Sequence, residues 1–187
     1  MLEKILSLDT QLFIYLNSLG SETYDGLWLI ITKQTSWTPF FLLLLYLIFK
    51  KLGTKQTLYL LLFVAILITC TDQITNLFKY GFQRLRPCSD PAINTKIRII
   101  KSSATFSFFS GHASNTMAVA TFLYLTLKRY FKYLGFLFLW PLIFAYSRIY
   151  LGLHYPLDII CGYLFGLTMG FLMFKLYQIV QKKYFSV

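Results

Sequence analysis

Charged side chains are scarce in this sequence, and acidic ones most of all. Asp, Glu, Lys and Arg make up 13 % of the 187 residues, whereas a soluble domain typically has about 25 %. Seven acidic residues stand against 18 basic ones, which gives a formal net charge of +11. In a soluble protein this charge would suggest nucleic acid, but Lys and Arg also collect in the cytoplasmic loops of membrane proteins. The charge alone therefore identifies no partner.

Cysteine and histidine, the usual ligands of zinc, are also few. The three cysteines, Cys70, Cys88 and Cys161, are an odd number without the spacing of a metal site. Cys70 and Cys161 lie in apolar runs, where cysteine usually packs as a small hydrophobic residue. No cluster of carboxylates suggests Mg²⁺. The sequence thus predicts neither a disulfide framework nor a metal site.

Apolar residues make up 57 % of the chain and lie in long blocks. About 20 such residues in a helix cross the 30 Å hydrocarbon layer of a bilayer. We therefore predict one domain over residues 1–187, an all-α membrane helix bundle with its motif-bearing core at 57–178. Five transmembrane helices are predicted at about 37–49, 57–78, 108–127, 133–150 and 156–177.

The N-terminal segment 1–34 differs from these blocks because it is amphipathic. Its apolar and polar residues alternate along the chain, which predicts an interfacial helix lying on the membrane. A sixth transmembrane helix would result if residues 11–32 crossed the bilayer.

The basic residues set the predicted orientation. Alternating spans put 50–55, 128–132 and the C-terminus on one side, where, with Lys175, they hold nine Lys and Arg and no acid. The other side also holds nine Lys and Arg, but three of them belong to the polar clusters described next. Without those three, the positive-inside rule favours a cytoplasmic C-terminus and an outward-facing segment at 79–107.

Three polar clusters lie at the predicted ends of spans, all on the same membrane face. They are Lys79–Pro87 after the second span, Ser110–His112 at the start of the third, and Ser147–Asp158 between the fourth and fifth. Both histidines of the chain belong to them. Because alternating topology alone brings these clusters together, we predict that they form one site.

The clusters contain the groups that bind a phosphate. Lys79, Arg86 and Arg148 supply fixed positive charge, and the planar guanidinium of arginine presents a fork of donors that matches phosphate oxygens. Ser110 and Gly111 open a helix, where free backbone N–H groups and the positive end of the helix dipole attract anions. These five residues are the predicted phosphate-binding set.

His154 and Asp158 have the spacing of an oriented nucleophile. Pro156 favours the first turn of a helix, so Asp158 falls in that turn and can reach back to His154. A carboxylate that accepts the proton of one ring nitrogen leaves the other nitrogen free to attack. His112 remains as a second proton-transfer group for the leaving oxygen. The set predicts phosphoryl transfer through a phosphohistidine, without metal or other cofactor.

On these residues the sequence resembles a known superfamily. Lys79–Pro87 reads KYGFQRLRP and matches K-x6-R-P, and Ser147–Asp158 reads SRIYLGLHYPLD and matches S-R-x5-H-x3-D. Phe109–His112 reads FSGH where the corresponding pattern is P-S-G-H. These three motifs, in order, are similar to those of the type 2 phosphatidic acid phosphatase (PAP2) and haloperoxidase superfamily.

The resemblance implies a metal-independent lipid phosphatase in a bacterial plasma membrane, with its active site facing outward. It implies that His154 is the nucleophile, that Asp158 orients it, and that His112 is the general acid. The implied phosphate ligands are Lys79, Arg86, Ser110, Gly111 and Arg148. A haloperoxidase is disfavoured, because those relatives are soluble and this chain has predicted spans.

The substrate and the reaction have alternatives at this level. Resemblance to short bacterial members makes undecaprenyl diphosphate the first candidate, beside lipid A, phosphatidylglycerophosphate and phosphatidate. The same chemistry would suit a lipid phosphotransferase, and the basic groups alone would suit a non-catalytic binder of anionic lipid. Expected partners are a phosphorylated lipid and the bilayer, with no nucleic acid and no obligate protein partner.

Other polar and small residues receive simpler interpretations. Arg84, Lys96, Arg98 and Lys101 are interpreted as solvated or in contact with lipid head groups. The segment Cys88–Thr105, between two site clusters, is a candidate for substrate specificity. The last predicted span carries glycines at every fourth position, which predicts close helix packing; they are Gly162, Gly166 and Gly170.

Overall fold

Helices account for all the regular secondary structure in residues 1–184, the part of the chain that the computed structural model describes. The α-helices are α1 (Leu2–Ser18), α2 (Glu22–Ile31), α3 (Thr38–Phe82), α4 (Gly111–Leu127), α5 (Leu139–Tyr150) and α6 (Pro156–Tyr184). Short 3₁₀ helices lie at Gln34–Trp37, Pro87–Ser89, Asn94–Lys96 and Leu134–Phe138. The predicted all-α class is confirmed.

Helix α3 consists of two arms joined at one residue. Gly53 has φ 76° and ψ 174°, which lies outside the helical region. The positive φ favours glycine, because glycine has no Cβ. Residues 38–52 form the first arm and 54–82 the second. The break lies in the basic segment 50–55, where the sequence separates the first two predicted spans.

Two stretches are long and apolar enough to cross a membrane. They are Gln34–Lys96, which contains both arms of α3, and Pro156–Lys183. Leu134–Tyr150 is a shorter apolar stretch, and α4 has 17 residues, somewhat fewer than the about 20 of a typical span. Length and composition alone thus do not establish the predicted number of five spans.

The N-terminal segment forms two helices rather than the single interfacial helix predicted. Helix α1 packs on α5 and α6 and buries Asp9, Phe13 and Asn17. The amide of Asn17 donates to the carbonyls of Ile149 and Tyr150 at 3.2 and 3.1 Å. Asn17 points inward because it satisfies carbonyls at the end of α5, and Asp9 because it accepts the N–H of Leu157 at the start of α6.

Two helices begin later than their predicted spans. Helix α4 starts at Gly111 because Ser110 adopts an extended conformation and its hydroxyl accepts the N–H of Ala113 at 3.4 Å. Residues Leu134–Phe138 form a 3₁₀ helix, so that α5 begins only at Leu139. Both shifts leave the polar clusters at the same end of the bundle.

Helices α4 and α6 pack with their backbones almost in contact. A Cβ atom placed on Gly166 would lie 2.5 Å from the carbonyl oxygen of Ser114, and one on Gly170 would lie 2.5 Å from that of Ala118. No larger residue fits this interface without moving a helix, so the predicted packing role of the glycines is confirmed. The interface holds the first turn of α4 beside the first turn of α6.

Candidate active site

The eight predicted site residues come from separate elements and meet at one end of the bundle. Lys79 lies near the end of α3, Arg86 in the loop after it, and Arg148 in the last turn of α5. Ser110, Gly111 and His112 begin α4, while His154 and Asp158 flank the start of α6. The charges of Lys79, Arg86 and Arg148 all act on both histidines.

The start of α6 brings His154 and Asp158 together. Pro156 is the first helical residue, which places Asp158 in the first turn. One carboxylate oxygen, Oδ2, lies 3.4 Å from Nδ1 of His154 and accepts the backbone N–H of Tyr155 at 2.9 Å. The same oxygen accepts the hydroxyl of Ser107. Both site residues are buried, at 1 % and 0 % side-chain exposure.

The other ring nitrogen of His154 faces Arg86. Nη1 of Arg86 lies 2.9 Å from Nε2 of His154. Because arginine is always protonated and only donates, Nε2 is the unprotonated nitrogen and Nδ1 carries its hydrogen toward Asp158. Burial, followed by the charges of Arg86 and Arg148, holds the pKa of His154 well below 6.5. The imidazole is therefore neutral at pH 7, the form that can act as a nucleophile.

Backbone and hydroxyl groups hold the Arg86 guanidinium in place. Nη1 also donates to the carbonyl of Leu153 at 3.0 Å, and Nε and Nη2 donate to the carbonyl and hydroxyl of Thr105 at 2.8 Å each. Four donor contacts fix its plane, so Arg86 is preorganised beside Nε2 of His154.

Arg148 retains an unused donor in a buried position. Its Nη1 donates to the hydroxyl of Thr32 at 2.6 Å. Its Nε is buried and has no hydrogen-bond partner among residues 1–184, and the residue is 6 % exposed. A buried donor without a partner is costly and rare, and an anion beside it would remove that cost.

The first turn of α4 carries the remaining residues of the predicted phosphate-binding set. Ser110 caps the helix, and its own N–H donates to the carbonyl of Asp158 at 3.0 Å. The N–H groups of Gly111 and His112 lie in the first helical turn and have no acceptor within the helix. A Cβ on Gly111 would lie 3.7 Å from Nζ of Lys79, so this ammonium adjoins the helix start.

His112 lies between the polar site and an apolar cavity. Its ring centroid is 5.4 Å from that of Phe144, and its carbonyl accepts the hydroxyl of Thr116 at 2.7 Å. Phe144 and Thr116 also line a cavity of about 470 Å³ between the arms of α3, α4 and α5. Trp37 of the preceding 3₁₀ helix lines the cavity, and the apolar residues from the two arms are Phe41, Leu44, Leu45, Ile48, Leu60, Leu61, Val64 and Ile68.

Sequence reasoning missed several residues around the site. Arg84, interpreted as solvated or in contact with head groups, instead donates to Asp158 at 2.8 Å and to Asp9 at 2.7 Å. Arg98, given the same interpretation, donates to both carboxylate oxygens of Asp25 at 2.9 Å. The only sequence signal for a role of Arg84 at the site was its position in the first motif, two residues before Arg86.

The residues present do not form a recognisable metal centre. Within residues 1–184, no three His, Cys, Asp or Glu side chains come together as potential ligands of one ion. The positive charge at the site comes from lysine and arginine side chains.

The structure is a helical bundle with two histidines among lysine and arginine side chains at one end. The chain belongs to the PAP2 superfamily, whose sequence model matches residues 56–182. The match includes all eight predicted site residues and leaves α1, α2 and the first arm of α3 outside.

Characterised relatives extend over nearly the whole chain. The Lipid A 4'-phosphatase of Bacteroides thetaiotaomicron is 32 % identical over 93 % of this chain and 79 % of its own length. The Lipid A 4'-phosphatase of Porphyromonas gingivalis is 28 % identical over 98 % of this chain and 78 % of its own length. The Undecaprenyl-diphosphatase of Sulfolobus acidocaldarius is 29 % identical over 91 % and 79 %.

A solved structure shares the fold. It is the transmembrane PAP2-type phosphatidylglycerolphosphate phosphatase of Bacillus subtilis, with a TM-score of 0.69 and 20 % sequence identity. The similarity covers 97 % of this chain and 88 % of that one. It includes the N-terminal helices outside the superfamily match and shows that they belong to the same fold.

Proposed function

We propose that this protein is a membrane lipid phosphatase that transfers the phosphate of its substrate to His154 and then to water. The observation that carries the proposal is the state of the His154 ring. Nδ1 faces the buried carboxylate of Asp158, and Nε2 lies unprotonated beside Arg86. A neutral, oriented imidazole beside fixed cations meets the needs of nucleophilic attack on a phosphate.

In the first step Nε2 of His154 attacks phosphorus, and the bond from phosphorus to the lipid oxygen breaks. The negative charge of the bound phosphate favours the protonated form of His112. His112 then donates its proton to that oxygen, so the lipid leaves as an alcohol, or as a monophosphate if the substrate is a diphosphate. Asp158 stabilises the positive charge that the His154 ring acquires. Before the attack, Nη1 of Arg86 must move its hydrogen bond from Nε2 of His154 to a phosphate oxygen. Substrate binding thereby frees the lone pair of Nε2.

In the second step water attacks the phosphohistidine while His112 accepts the proton of the water. The N–P bond breaks, His154 regains its lone pair, and inorganic phosphate leaves. Lys79, Arg86 and Arg148 balance the negative charge of the transferring group throughout, with the N–H groups at the start of α4. The proposed reaction therefore needs no metal ion.

The apolar cavity accounts for a lipid substrate. It adjoins His112 through Phe144 and Thr116 and is lined mainly by aliphatic and aromatic side chains. A phosphate at the site and a hydrocarbon chain in the cavity would be continuous, because the two meet at His112. We propose that the arms of α3, together with α4, α5 and α6, form five spans, with the site facing outward and the C-terminus cytoplasmic.

Two lipid substrates are supported most directly. Similarity to two Lipid A 4'-phosphatases favours a phosphate monoester on lipid A. Undecaprenyl diphosphate, the candidate from the sequence, is supported by the similarity to an Undecaprenyl-diphosphatase. The two differ in the bond that is broken, a monoester in the first and a phosphoanhydride in the second.

The test is phosphate release by the purified protein from both lipids, and from phosphatidylglycerophosphate and phosphatidate, with EDTA present. His154→Ala should abolish release, whereas Lys101→Ala, at an exposed basic residue of the 83–110 loop, should retain it. Release by His154→Ala at the wild-type rate would refute the proposal. Tight lipid binding without turnover would favour a non-catalytic binder, and phosphate appearing on an added alcohol would identify a phosphotransferase.

A further inference from the structure

Arg84 lies between two buried carboxylates. Its Nη1 donates to Oδ1 of Asp158 at 2.8 Å, and its Nη2 donates to Oδ2 of Asp9 at 2.7 Å. The side chains of these two aspartates are 0 % and 5 % exposed. The guanidinium carbon lies 3.9 Å from the ring centroid of Tyr155, and this stacking fixes the plane of the fork. Three partners thus hold Arg84 in one position.

The two oxygens of Asp158 have different partners. Oδ2 faces His154 and accepts the backbone N–H of Tyr155 and the hydroxyl of Ser107. Oδ1 accepts from Arg84, which is the only Lys or Arg in residues 1–184 that forms an ion pair with Asp158. A wholly buried carboxylate stays ionised only with such a partner. Arg84 therefore supplies the charge that keeps Asp158 ionised and, together with Tyr155 and Ser107, fixes the rotation of the group that faces His154.

Asp9 connects the N-terminal helix to this pair. One of its oxygens holds Arg84, and the other accepts the backbone N–H of Leu157 at 2.8 Å. Leu157 lies in the first turn of α6, where an N–H has no acceptor within the helix. Asp9 thus caps the helix that carries Asp158, although it belongs to α1, outside the segment matched by the superfamily.

We propose that Arg84 and Asp9 are positioning residues of this active site. Arg84 keeps the carboxylate of Asp158 ionised and turned toward His154, and Asp9 keeps Arg84 between the two carboxylates. Helix α1 is therefore part of the support of the active site. The inference rests on the proposed function, because it assigns both residues to the reaction through His154.

The first experiment compares Arg84→Met and Asp9→Asn with Arg98→Met in the phosphate-release assay. Arg98 is a matched control because it also joins the 83–110 loop to the N-terminal segment through an aspartate, Asp25, but does not contact Asp158. We expect Arg84→Met to lower kcat about 30-fold or more and Asp9→Asn to lower it about tenfold. KM should stay within about threefold, because neither residue belongs to the phosphate-binding set. Arg98→Met should keep kcat within about threefold.

The second experiment tests whether the residues act through one another. In an Asp158→Asn background, Arg84→Met should lower single-turnover rates by no more than about twofold. Likewise, adding Asp9→Asn to Arg84→Met should lower the single-turnover rate by no more than about a further twofold. Independent structural effects would multiply instead. Multiplying losses, an equal loss in Arg98→Met, or a wild-type kcat in Arg84→Met would each overturn the inference.

Two further variants keep these outcomes decisive. If Arg84→Met does not fold, Arg84→Lys replaces it: one ammonium cannot bridge both carboxylates as the fork does, so kcat should still fall about three- to tenfold, and an unchanged kcat would overturn the inference. His154→Ala is assayed alongside. If it remains active, the proposed function fails. If it is inactive while Arg84→Met and Asp9→Asn equal the wild type, only the positioning role fails.

Discussion

Replacing Gly166 with alanine should impair catalysis from a distance. The added Cβ would lie 2.5 Å from the carbonyl oxygen of Ser114 and 3.0 Å from both the N of Ala118 and the Cβ of Met117. An ordinary contact is about 3.4 Å, so α4 and α6 must separate by about 0.9 Å at this point. The obstacle is backbone, which cannot rotate away as a side chain can. Overpacking of this kind typically costs about 1–3 kcal/mol.

The separation would reach the active site because these helices carry it. Asp158 lies on α6 eight residues before Gly166, about 12 Å along the helix, and His112 lies on α4 two residues before Ser114. Displacement of catalytic groups by about 1 Å can cost on the order of 100-fold in rate. We expect Gly166→Ala to lower kcat about 10- to 100-fold and Tm by about 2–4 °C per kcal/mol of destabilisation.

The matched control is Gly26→Ala, in the middle of α2. A Cβ there meets nothing within 4 Å, and alanine is better than glycine inside a helix by about 0.5–1 kcal/mol. Its kcat should be unchanged and its Tm unchanged or higher. The assays are phosphate release and thermal unfolding in the same detergent. If Gly166→Ala matched Gly26→Ala in both, the close contact between α4 and α6 would be irrelevant to catalysis and the reasoning would be wrong.

Three other predictions follow from the site. Asp158→Asn keeps the shape of the side chain but puts an amide beside Nδ1 of His154 and Arg84, so single-turnover rates should fall about 100-fold or more; a smaller loss than about tenfold would contradict the orienting role. Arg86→Lys keeps the charge but loses the fork that holds Thr105 and Nε2, so kcat/KM should fall at least about tenfold; equal kinetics would show that charge alone suffices. The third concerns pH: the pKa of His154 lies well below 6.5 in the folded protein, while the unfolded chain takes up the proton near pH 6.5. Stability should therefore be highest above that pH and decline as the pH falls below it; plots of Tm against pH from 5 to 8 should show a smaller decline for His154→Gln, and parallel plots would contradict the assignment.

The centre of the site was predictable because local spacing determines it. Pro156 starts a helix, a helix places Asp158 one turn from His154, and the observed separation of 3.4 Å is the consequence. The cluster at 110–112 was found for a similar reason, because a Ser–Gly pair before an apolar run indicates a helix start. Each inference needed only a few neighbouring residues.

The surroundings of the site were not predictable in this way. The bond between Asp9 and Leu157 joins residues 148 positions apart, and that between Arg84 and Asp158 joins residues 74 apart. An amphipathic pattern places polar residues at the surface unless a buried partner is known, so it gave no sign that Asp9 and Asn17 are buried. The 3₁₀ helix at Leu134–Phe138 had no local signal distinct from the apolar run around it.

The break at Gly53 joins the two arms that line the apolar cavity, so the backbone angles of this residue set the angle between the arms. The lining residues of the two arms are placed almost symmetrically about it, with Ile48 paralleled by Leu60 and Phe41 by Ile68. A change of about 10° at this one residue would move Phe41, about 18 Å away along the first arm, by about 3 Å. Such a movement would change the width of the cavity, whereas the α4–α6 contact contains no residue of the first arm. Under the proposed function, the lipid tail would meet the arms of α3, and the phosphate would meet the starts of α4 and α6.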